Sequence, residues 1–253
     1  MITLIYDGTF EGLLTAVFEI YEHKLTEVSI CPEHLLQPNF FDAKRSIVSD
    51  TVKANRVLKG LHQRLAAGGV QRLYAAHLSE IAGEEDNLLG FIRYAFSTNE
   101  TIEQDFGNKY VMRLSYVLKL VRREKHRMEA FVRFQKMADG IFYASIEPDF
   151  NVLPLILQHF KRRYADQKWI IYDIKRAYGI YYDLQDAVFI QLNFASSKQD
   201  GKTLISSYSE DETLYQALWK DYFKHVNIPA RKNTKLHLQH VPKRYWKHLT
   251  EKI

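Results

Sequence analysis

A chain of 253 residues, with 46% apolar and 26% charged residues, can bury a substantial core and has the composition of a soluble globular protein. Its net charge of +5 and isoelectric point near 9.0 favour an acidic partner such as nucleic acid. Cys31 is the only cysteine, which excludes an internal disulfide framework, a cysteine-built zinc site and a three-cysteine iron–sulfur cluster. Because the sequence shows neither a signal-peptide pattern nor an apolar run of 18 residues, we expect a cytoplasmic protein with no membrane partner.

The first residues predict a strand, a turn and a helix. Ile2 to Tyr6 is apolar enough for a short buried strand, and Asp7-Gly8-Thr9 is typical of a turn that caps the helix from about Phe10 to Tyr21. The turn lacks the repeated glycines and the lysine of a phosphate-binding loop, so we interpret it as structural. Two short strands and three helices are predicted next, at 27–31, 46–48, 50–67 (capped by Asp50), 70–81 and 87–96.

The stretch from Lys109 to Asp183 carries the clearest structural signals. It begins with a helix whose apolar stripe lies opposite a basic face, and Asp139-Gly140 then predicts a tight hairpin between strands at 131–137 and 141–146. A helix near Val152 to Tyr164 follows, with Asp149 or Asn151 as its cap. Three further strands are predicted at 169–174, 178–182 and 187–194.

These elements predict an α/β (α+β) fold. It has a helical N-terminal portion with a strand-turn-helix start, a central antiparallel sheet of about five strands with one inserted helix, and a basic helical C-terminal tail. In the tail, Asp211 is placed to cap a helix over 212–226 after a polar turn at 196–201. Gly107 is the best candidate boundary, giving regions 1–106 and 107–253, although one compact domain is the alternative.

Positive charge is concentrated in two segments. Residues 109–136 and 220–252 each carry nine Lys or Arg against two acidic residues, a net of +7 in both cases. Such clustering creates a local field that attracts phosphate, unless both segments are merely solvated faces. Arg122, Arg123 and Arg127 share a flank of the first helix, so we expect them to reach one phosphate backbone together.

Several motifs are spaced in order along nearly the whole chain. They are Tyr6–Gly12 (YDGTFEG), Val121–Met128 (VRREKHRM) leading to Phe131–Phe134 (FVRF), Trp169–Asp173 (WIIYD), and the closing Asn227, Ile228, Arg231, Asn233, Pro242 and Arg244-Tyr245-Trp246. Together they resemble a bacterial family of DNA metabolism and DNA repair proteins built on a domain of unknown function. In that family the gene typically lies beside one for a radical S-adenosylmethionine (radical SAM) protein that modifies or repairs DNA, and some members are fused to a uracil-DNA glycosylase. The resemblance implies a role in DNA repair, without the glycosylase activity or the radical chemistry, since this sequence shows no glycosylase extension and has one cysteine.

The first functional hypothesis is a DNA-binding accessory protein that presents DNA to a partner enzyme such as a radical SAM protein. Arg and Lys would neutralise phosphates while aromatic side chains, among them Phe131, Phe134, Tyr143, Tyr245 and Trp246, stack on bases. The alternative for each aromatic residue is a place in the core. The predicted nucleic-acid-binding residues are Arg122, Arg123, Arg127, Arg133, Lys161, Arg162, Arg163, Arg176, Arg231, Lys243, Arg244, Tyr245 and Trp246.

The second hypothesis is a DNA-processing enzyme of nuclease or glycosylase type, with His126, Glu147 and Asp173 as its His/carboxylate site. It requires these three residues, with Arg133 and Arg176, to converge in one cleft that holds a buried charge. No pair of them has diagnostic metal-ligand spacing, so no metal or cofactor is predicted. The third hypothesis is a protein-interaction module whose basic faces bind an acidic partner without touching DNA.

Overall fold

The computed structural model describes residues 2–36, 43–191, 212–226, 238 and 240–252. The chain divides into two compact units, Met1–Arg122 and Arg123–Ile253, here called the N-terminal and the C-terminal unit. The predicted boundary at Gly107 stays a prediction. Within the described ranges, no helix combines the length and the apolar character needed to cross a membrane.

A three-stranded parallel sheet forms the centre of the N-terminal unit. Strand β1 (Ile2–Tyr6) lies between β2 (Val28–Pro32) and β3 (Ala43–Ser46) and pairs with both in parallel. Parallel neighbours require a crossover, and helix α1 (Phe10–Glu22) supplies the first one. Strand β3 begins three residues earlier than the sequence predicts.

The side chains of the Asp7-Gly8-Thr9 turn make local hydrogen bonds at the start of helix α1. Asp7 accepts hydrogen bonds from the Thr9 backbone N–H at 2.9 Å and from the Thr9 hydroxyl at 2.7 Å, and the Thr9 side chain in turn accepts from the Gly12 N–H at 2.9 Å. Gly8 has a φ of 81°, and a Cβ on Gly12 would lie 2.3 Å from an Asp7 carboxylate oxygen. The structural interpretation of this turn is confirmed.

Four helices complete the N-terminal unit: α2 (Thr51–Arg64), α3 (Gly69–His77), α4 (Glu84–Ser97) and the first part of α5 (Lys109–Phe131). All four were predicted, with ends that differ by a few residues. Asp50 caps α2 as expected, because its carboxylate accepts from the backbone N–H groups of Val52 and Lys53 at 2.8 and 3.0 Å.

We expect Asp50→Ala to lower the free energy of unfolding by about 1 kcal/mol, because two N–H groups at the start of α2 lose their acceptor. Asp50→Asn should stay within a few tenths of a kcal/mol of the parent, since an amide oxygen caps about as well. Urea denaturation followed by far-ultraviolet circular dichroism measures both. Equal losses in the two variants would show that the charge of Asp50 matters and its capping bonds do not.

A five-stranded mixed sheet forms the C-terminal unit, in the order β4-β5-β6-β7-β8. The strands are β4 (Gln135–Lys136), β5 (Phe142–Ile146), β6 (Trp169–Asp173), β7 (Tyr178–Tyr182) and β8 (Ala187–Ile190). The α/β fold class is confirmed, and so is the hairpin, in which Gln135 pairs with Tyr143. The first hairpin strand is short because α5 continues to Phe131.

The prediction of a wholly antiparallel sheet is wrong at one position. Strands β5 and β6 run parallel, with Phe142 opposite Trp169, while the other three pairings are antiparallel. Helix α6 (Leu153–Arg163) carries the chain back to the starting end of the sheet before β6 begins, which makes a parallel crossover.

The predicted cap of α6 is also wrong. Val152 occupies the N-cap position and makes no side-chain capping bond. Asp149 instead forms an ion pair with Arg244 at 2.6 Å, and Asn151 accepts a hydrogen bond from the Tyr178 hydroxyl.

Helix α7 (Glu212–Val226) confirms the predicted C-terminal helix, and two 3₁₀ helices, Lys243–His248 and Thr250–Lys252, follow it. Some predicted features lie outside the described residues. They are the end of the last strand at 192–194, the turn at 196–201, the Asp211 cap and Arg231.

Candidate nucleic-acid interface

A cavity of about 800 Å³ opens in the C-terminal unit, and we call it the aromatic cavity. Its walls come from six elements: the end of α5, β4, β5, α6, α7 and the 3₁₀ helix Thr250–Lys252. Six aromatic side chains line it: Phe134, Phe142, Phe160, Tyr164, Tyr215 and Trp219.

The inner wall of the aromatic cavity is a cluster of packed rings. The Phe134 ring meets Phe160 and Tyr164 edge-on, with centroids 5.8 and 5.2 Å apart. Phe160 and Tyr164 stack at 6.0 Å with an interplanar angle of 9°, one helical turn apart on α6. Trp169 on β6 lies 6.2 Å from both phenylalanine rings and is itself buried. This wall is therefore fixed by the core of the unit.

The outer wall is formed by helix α7 and is more open. Tyr215 is 54% exposed and Trp219 is 38% exposed. They are four residues apart, so they stand on the same side of the helix. Glu212, at the start of α7, is buried and accepts hydrogen bonds from the Lys136 backbone N–H at 2.7 Å and from Gln216 at 3.0 Å.

Arg133 and Glu251 form an ion pair at the edge of the aromatic cavity. The Arg133 guanidinium binds both carboxylate oxygens of Glu251, at 2.8 and 3.3 Å, and lies 5.4 Å from the centre of the Trp219 ring. The indole N–H of Trp219 also donates to Glu251, at 2.9 Å. Burial raises the pKa of the Glu251 carboxyl, but the hydrogen bonds from Arg133 and Trp219 outweigh burial and lower the pKa overall.

A second hollow, of about 540 Å³, lies between α5 and α6, and we call it the basic hollow. It is lined by Lys125, Glu129, Leu155, Gln158, His159, Arg162 and Arg163. Glu129 lies 3.2 Å from the Lys125 ammonium group and 3.9 Å from the His159 ring. Glu129, His159 and Arg163 also line the aromatic cavity, so the two spaces are neighbours that share these three side chains.

The three arginines predicted on α5 differ in exposure. Arg122 and Arg123 are exposed, whereas the Arg127 side chain is 18% exposed and lies 3.5 Å from the Glu124 carboxylate. Arg127 is thus in contact with an internal anion. Arg122 and Arg123 stay predicted phosphate contacts.

Glu124 anchors the closing part of the C-terminal unit. Its carboxylate is 2% exposed, accepts from the Tyr245 hydroxyl and from the Asp149 backbone N–H at 2.9 Å, and lies 3.6 Å from Arg244. Burial and Glu124 both raise the pKa of Tyr245. Because the Tyr245 ring is only 2% exposed, it cannot stack on a base as the sequence suggested. Trp246, its neighbour, is half-buried and donates from its indole N–H to the Val241 carbonyl at 3.1 Å.

The three predicted catalytic residues have different surroundings. His126 is exposed on α5, Glu147 pairs with Lys247, and Asp173 is completely buried beside Arg176 at 2.8 Å. Burial raises the pKa of Asp173, and this effect exceeds the opposing one of Arg176. No hydrogen bond or ion pair between any two of these three residues is present in the described part of the chain.

The other predicted basic residues differ in exposure and in partners. Lys243 is exposed, and Lys161 lies 3.5 Å from Asp186. Arg162 and Arg163 are exposed at the end of α6. Of the predicted basic residues, Arg133 and Arg163 line the aromatic cavity, and Arg162 and Arg163 line the basic hollow. The others among the described residues line neither space.

One group of possible metal ligands occurs among the described residues, in the N-terminal unit. Oxygen and nitrogen atoms of Glu19, Glu22 and His23 lie within 4.8 Å of one another. The Glu19 carboxylate already binds Lys53 and Arg45, and the hydrogen bond from Lys53 is the largest effect that lowers its pKa. This group is an ion-pair cluster with no free carboxylate on Glu19.

Sequence reasoning missed Lys125, Glu129, Tyr215 and Trp219 as parts of this site. One signal was available, because Tyr215 and Trp219 are spaced like residues that share a helix face. Leu214 and Leu218 have the same spacing on α7 and predict an apolar stripe there, but both are exposed in the structure.

Residues 82–251, well over half of the chain, match the family described as a domain of unknown function, DUF4130. This match covers every element that lines the aromatic cavity and the basic hollow. No curated protein and no solved structure matches the chain.

Proposed function

This chain belongs to the DUF4130 family, a domain of unknown function, and we propose that it is a DNA-binding accessory protein in DNA repair or modification. It would present DNA to a partner enzyme, and the partner that the sequence resemblance suggests is a radical SAM protein. The observation that supports DNA binding most directly is that the basic hollow and the aromatic cavity are adjacent and share Glu129, His159 and Arg163.

The basic hollow suits a sugar–phosphate backbone. Lys125, Arg162 and Arg163 bring three cations to one concave surface, against the single carboxylate of Glu129. Cations that neutralise phosphates release condensed counterions, and this release supplies most of the affinity of non-specific binding. Arginine adds planar, forked hydrogen bonding to phosphate oxygens.

The enzyme alternative has less support from the site. General acid–base or metal-assisted chemistry needs its groups within reach of one substrate atom. His126 is exposed, Glu147 is paired with Lys247, and Asp173 is completely buried beside Arg176. The aromatic cavity instead offers ring faces next to cations, which is the combination that binds nucleic acid without cutting it.

Reversing two charges in the basic hollow tests the proposal. We expect Arg162→Glu with Arg163→Glu to weaken binding of a fluorescein-labelled single-stranded oligonucleotide at least tenfold at low salt. The log–log salt slope should fall by roughly 1.4, because each lost phosphate contact on a single strand contributes about 0.7. Fluorescence anisotropy at several salt concentrations measures both quantities.

The matched control is Lys44→Glu with Lys59→Glu, which makes the same change of net charge at two exposed sites of the N-terminal unit. We expect less than a threefold effect from it. Unchanged affinity and salt slope in the Arg162/Arg163 variant would contradict the proposal. If the parent protein shows no DNA binding and binds an acidic protein with a shallow salt slope, the interaction-module hypothesis replaces it.

A further inference from the structure

We infer that the aromatic cavity holds one unstacked base of the bound strand while the sugar–phosphate backbone crosses the basic hollow. This inference rests on the proposed function and adds a substrate class to it: single-stranded DNA, or duplex DNA that is locally opened.

The dimensions of the aromatic cavity fit such an occupant. Its volume of about 800 Å³ lies within the range of about 300–1,000 Å³ found for pockets that enclose drug-sized ligands. A single nucleotide is about as large as a drug-sized ligand. A base that remains paired and stacked within a duplex presents only its edges, so it cannot place its faces between these walls.

Aromatic rings are present in both the inner and the outer wall. Phe134 is half-buried in the inner wall, where it packs on the buried Phe160. Tyr215 and Trp219 on α7 keep about half and a third of their surfaces exposed. Exposed aromatic rings beside a positively charged groove are the usual means of binding unstacked bases, and they tolerate any base because every base has a π face.

The polar groups of the aromatic cavity match the edges of a base. Gln167 and Gln216 carry amide groups that both donate and accept hydrogen bonds, and Glu129 adds a carboxylate acceptor. Glu129 also lines the basic hollow. A nucleotide there would place its base on the aromatic side of Glu129 and its phosphate beside Arg163, which lines both spaces.

The basic hollow and the aromatic cavity also differ in the charge of their lining. The basic hollow is lined by three cations and one carboxylate, a net of +2. The aromatic cavity is lined by Arg133, Lys136 and Arg163 against Glu129 and Glu212, a net of +1, and its Arg133 is paired with Glu251. Phosphate therefore has its strongest attraction in the hollow, and the ring-lined space is left for the uncharged base.

Two oligonucleotides of equal length and charge test this inference. One is oligothymidylate, and the other is a chain of abasic sites with the same phosphates and no bases. We expect the parent protein to bind oligothymidylate about tenfold more tightly in fluorescence anisotropy, because stacking adds to the phosphate contacts. Equal affinity for the two would overturn the inference and leave the proposed function intact, whereas no binding of either would overturn both.

Variants on α7 locate the base. Tyr215→Ala combined with Trp219→Ala should reduce the preference for oligothymidylate to nearly one, with little change for the abasic chain. Leu214→Ala combined with Leu218→Ala is the matched control, since these side chains are exposed on the same helix and do not line the aromatic cavity. The control should keep the full preference.

A single variant keeps the test decisive if the double variant folds poorly. Tyr215→Ala spares the hydrogen bond between Trp219 and Glu251 and should lower the preference at least threefold. A full preference in a folded Tyr215→Ala protein would place the base elsewhere and overturn the inference. Arg162→Glu with Arg163→Glu should weaken both oligonucleotides by the same factor. Tight binding of free thymidine monophosphate by a protein that binds neither oligonucleotide would replace the inference with a small-molecule site.

Discussion

Arg176→Met should lower the free energy of unfolding of the C-terminal unit by about 3–5 kcal/mol at pH 7, because it leaves a buried carboxylate without its counter-charge. Asp173 is completely buried and lies 2.8 Å from the Arg176 guanidinium. The same guanidinium donates to the carbonyl oxygens of Pro148 and Asp149, both at 3.1 Å. Urea denaturation followed by tryptophan fluorescence reports on this unit alone, since Trp169, Trp219 and Trp246 all belong to it.

The loss should depend on pH in a defined direction. Burial raises the pKa of Asp173 even with Arg176 present, and without Arg176 it should rise further. A carboxyl group whose pKa is higher in the folded protein than in the unfolded chain, where it is about 3.9, destabilises the folded state when it ionises. Its contribution to stability is therefore fully present below about pH 3.9 and is lost as the pH rises through the folded pKa. The deficit of Arg176→Met should therefore be small near pH 4 and grow towards pH 7.

The double variant Asp173→Asn with Arg176→Met is the control, because it removes the charge that would be stranded. We expect it to be more stable than Arg176→Met at pH 7 and to lack the added pH dependence. An Arg176→Met protein that unfolds like the parent at pH 7 would show that the Asp173–Arg176 pair contributes little.

Glu124→Leu should also lower the free energy of unfolding, by about 2–4 kcal/mol, because two hydrogen-bond donors lose the buried carboxylate that accepts from them. The Tyr245 hydroxyl and the Asp149 N–H would each lose an acceptor in a buried place, at about 1–3 kcal/mol per group. The 3₁₀ helix Lys243–His248 is held by the same contact, so trypsin should cut after Lys243, Arg244 or Lys247 at lower concentration in the variant.

Glu129→Gln is the comparison for Glu124→Leu. Glu129 is also on α5, but its carboxylate is more exposed and pairs with Lys125 four residues earlier. Its loss should be within about 0.5 kcal/mol, as for most exposed pairs. If trypsin cuts Glu124→Leu and the parent at the same concentration, Glu124 does not hold the C-terminal segment.

The sequence predicted those elements that depend on local spacing. The stripe of Val111, Leu114, Leu118 and Val121 is buried along α5, and the Asp139-Gly140 turn joins β4 and β5. Asp50 caps α2 because an N-cap needs only its own next three residues. Local rules therefore account for most helices and strands.

The features that sequence reasoning missed depend on distant partners. Asp149 has the composition of a cap, yet Arg244 binds its carboxylate from 95 positions away in the sequence. Tyr245 and Trp246 are neighbours with similar side chains, but only Tyr245 is drawn into the core, by Glu124. The direction of β6 follows from the path of α6 and not from the residues of β6 itself.

The candidate site shows the same division. Arg163 and Arg133 were found because they belong to runs of positive charge. The aromatic cavity was not predicted, because six elements contribute to its lining and each contributes only one to a few side chains. A pocket assembled in this way leaves no periodic signal in the sequence.

The long-range contacts of the C-terminal unit also set the order of events during synthesis. Tyr245 meets Glu124 across 121 positions and Glu251 meets Arg133 across 118, so the nascent unit lacks these closing contacts until residues 245–251 have left the ribosome. At about 5–20 residues per second, that interval is on the order of ten seconds after Glu124 is made. Throughout it, the rings of the aromatic cavity have no closing segment beside them. The N-terminal unit does not wait for this segment, because all of its residues are synthesised before Arg123.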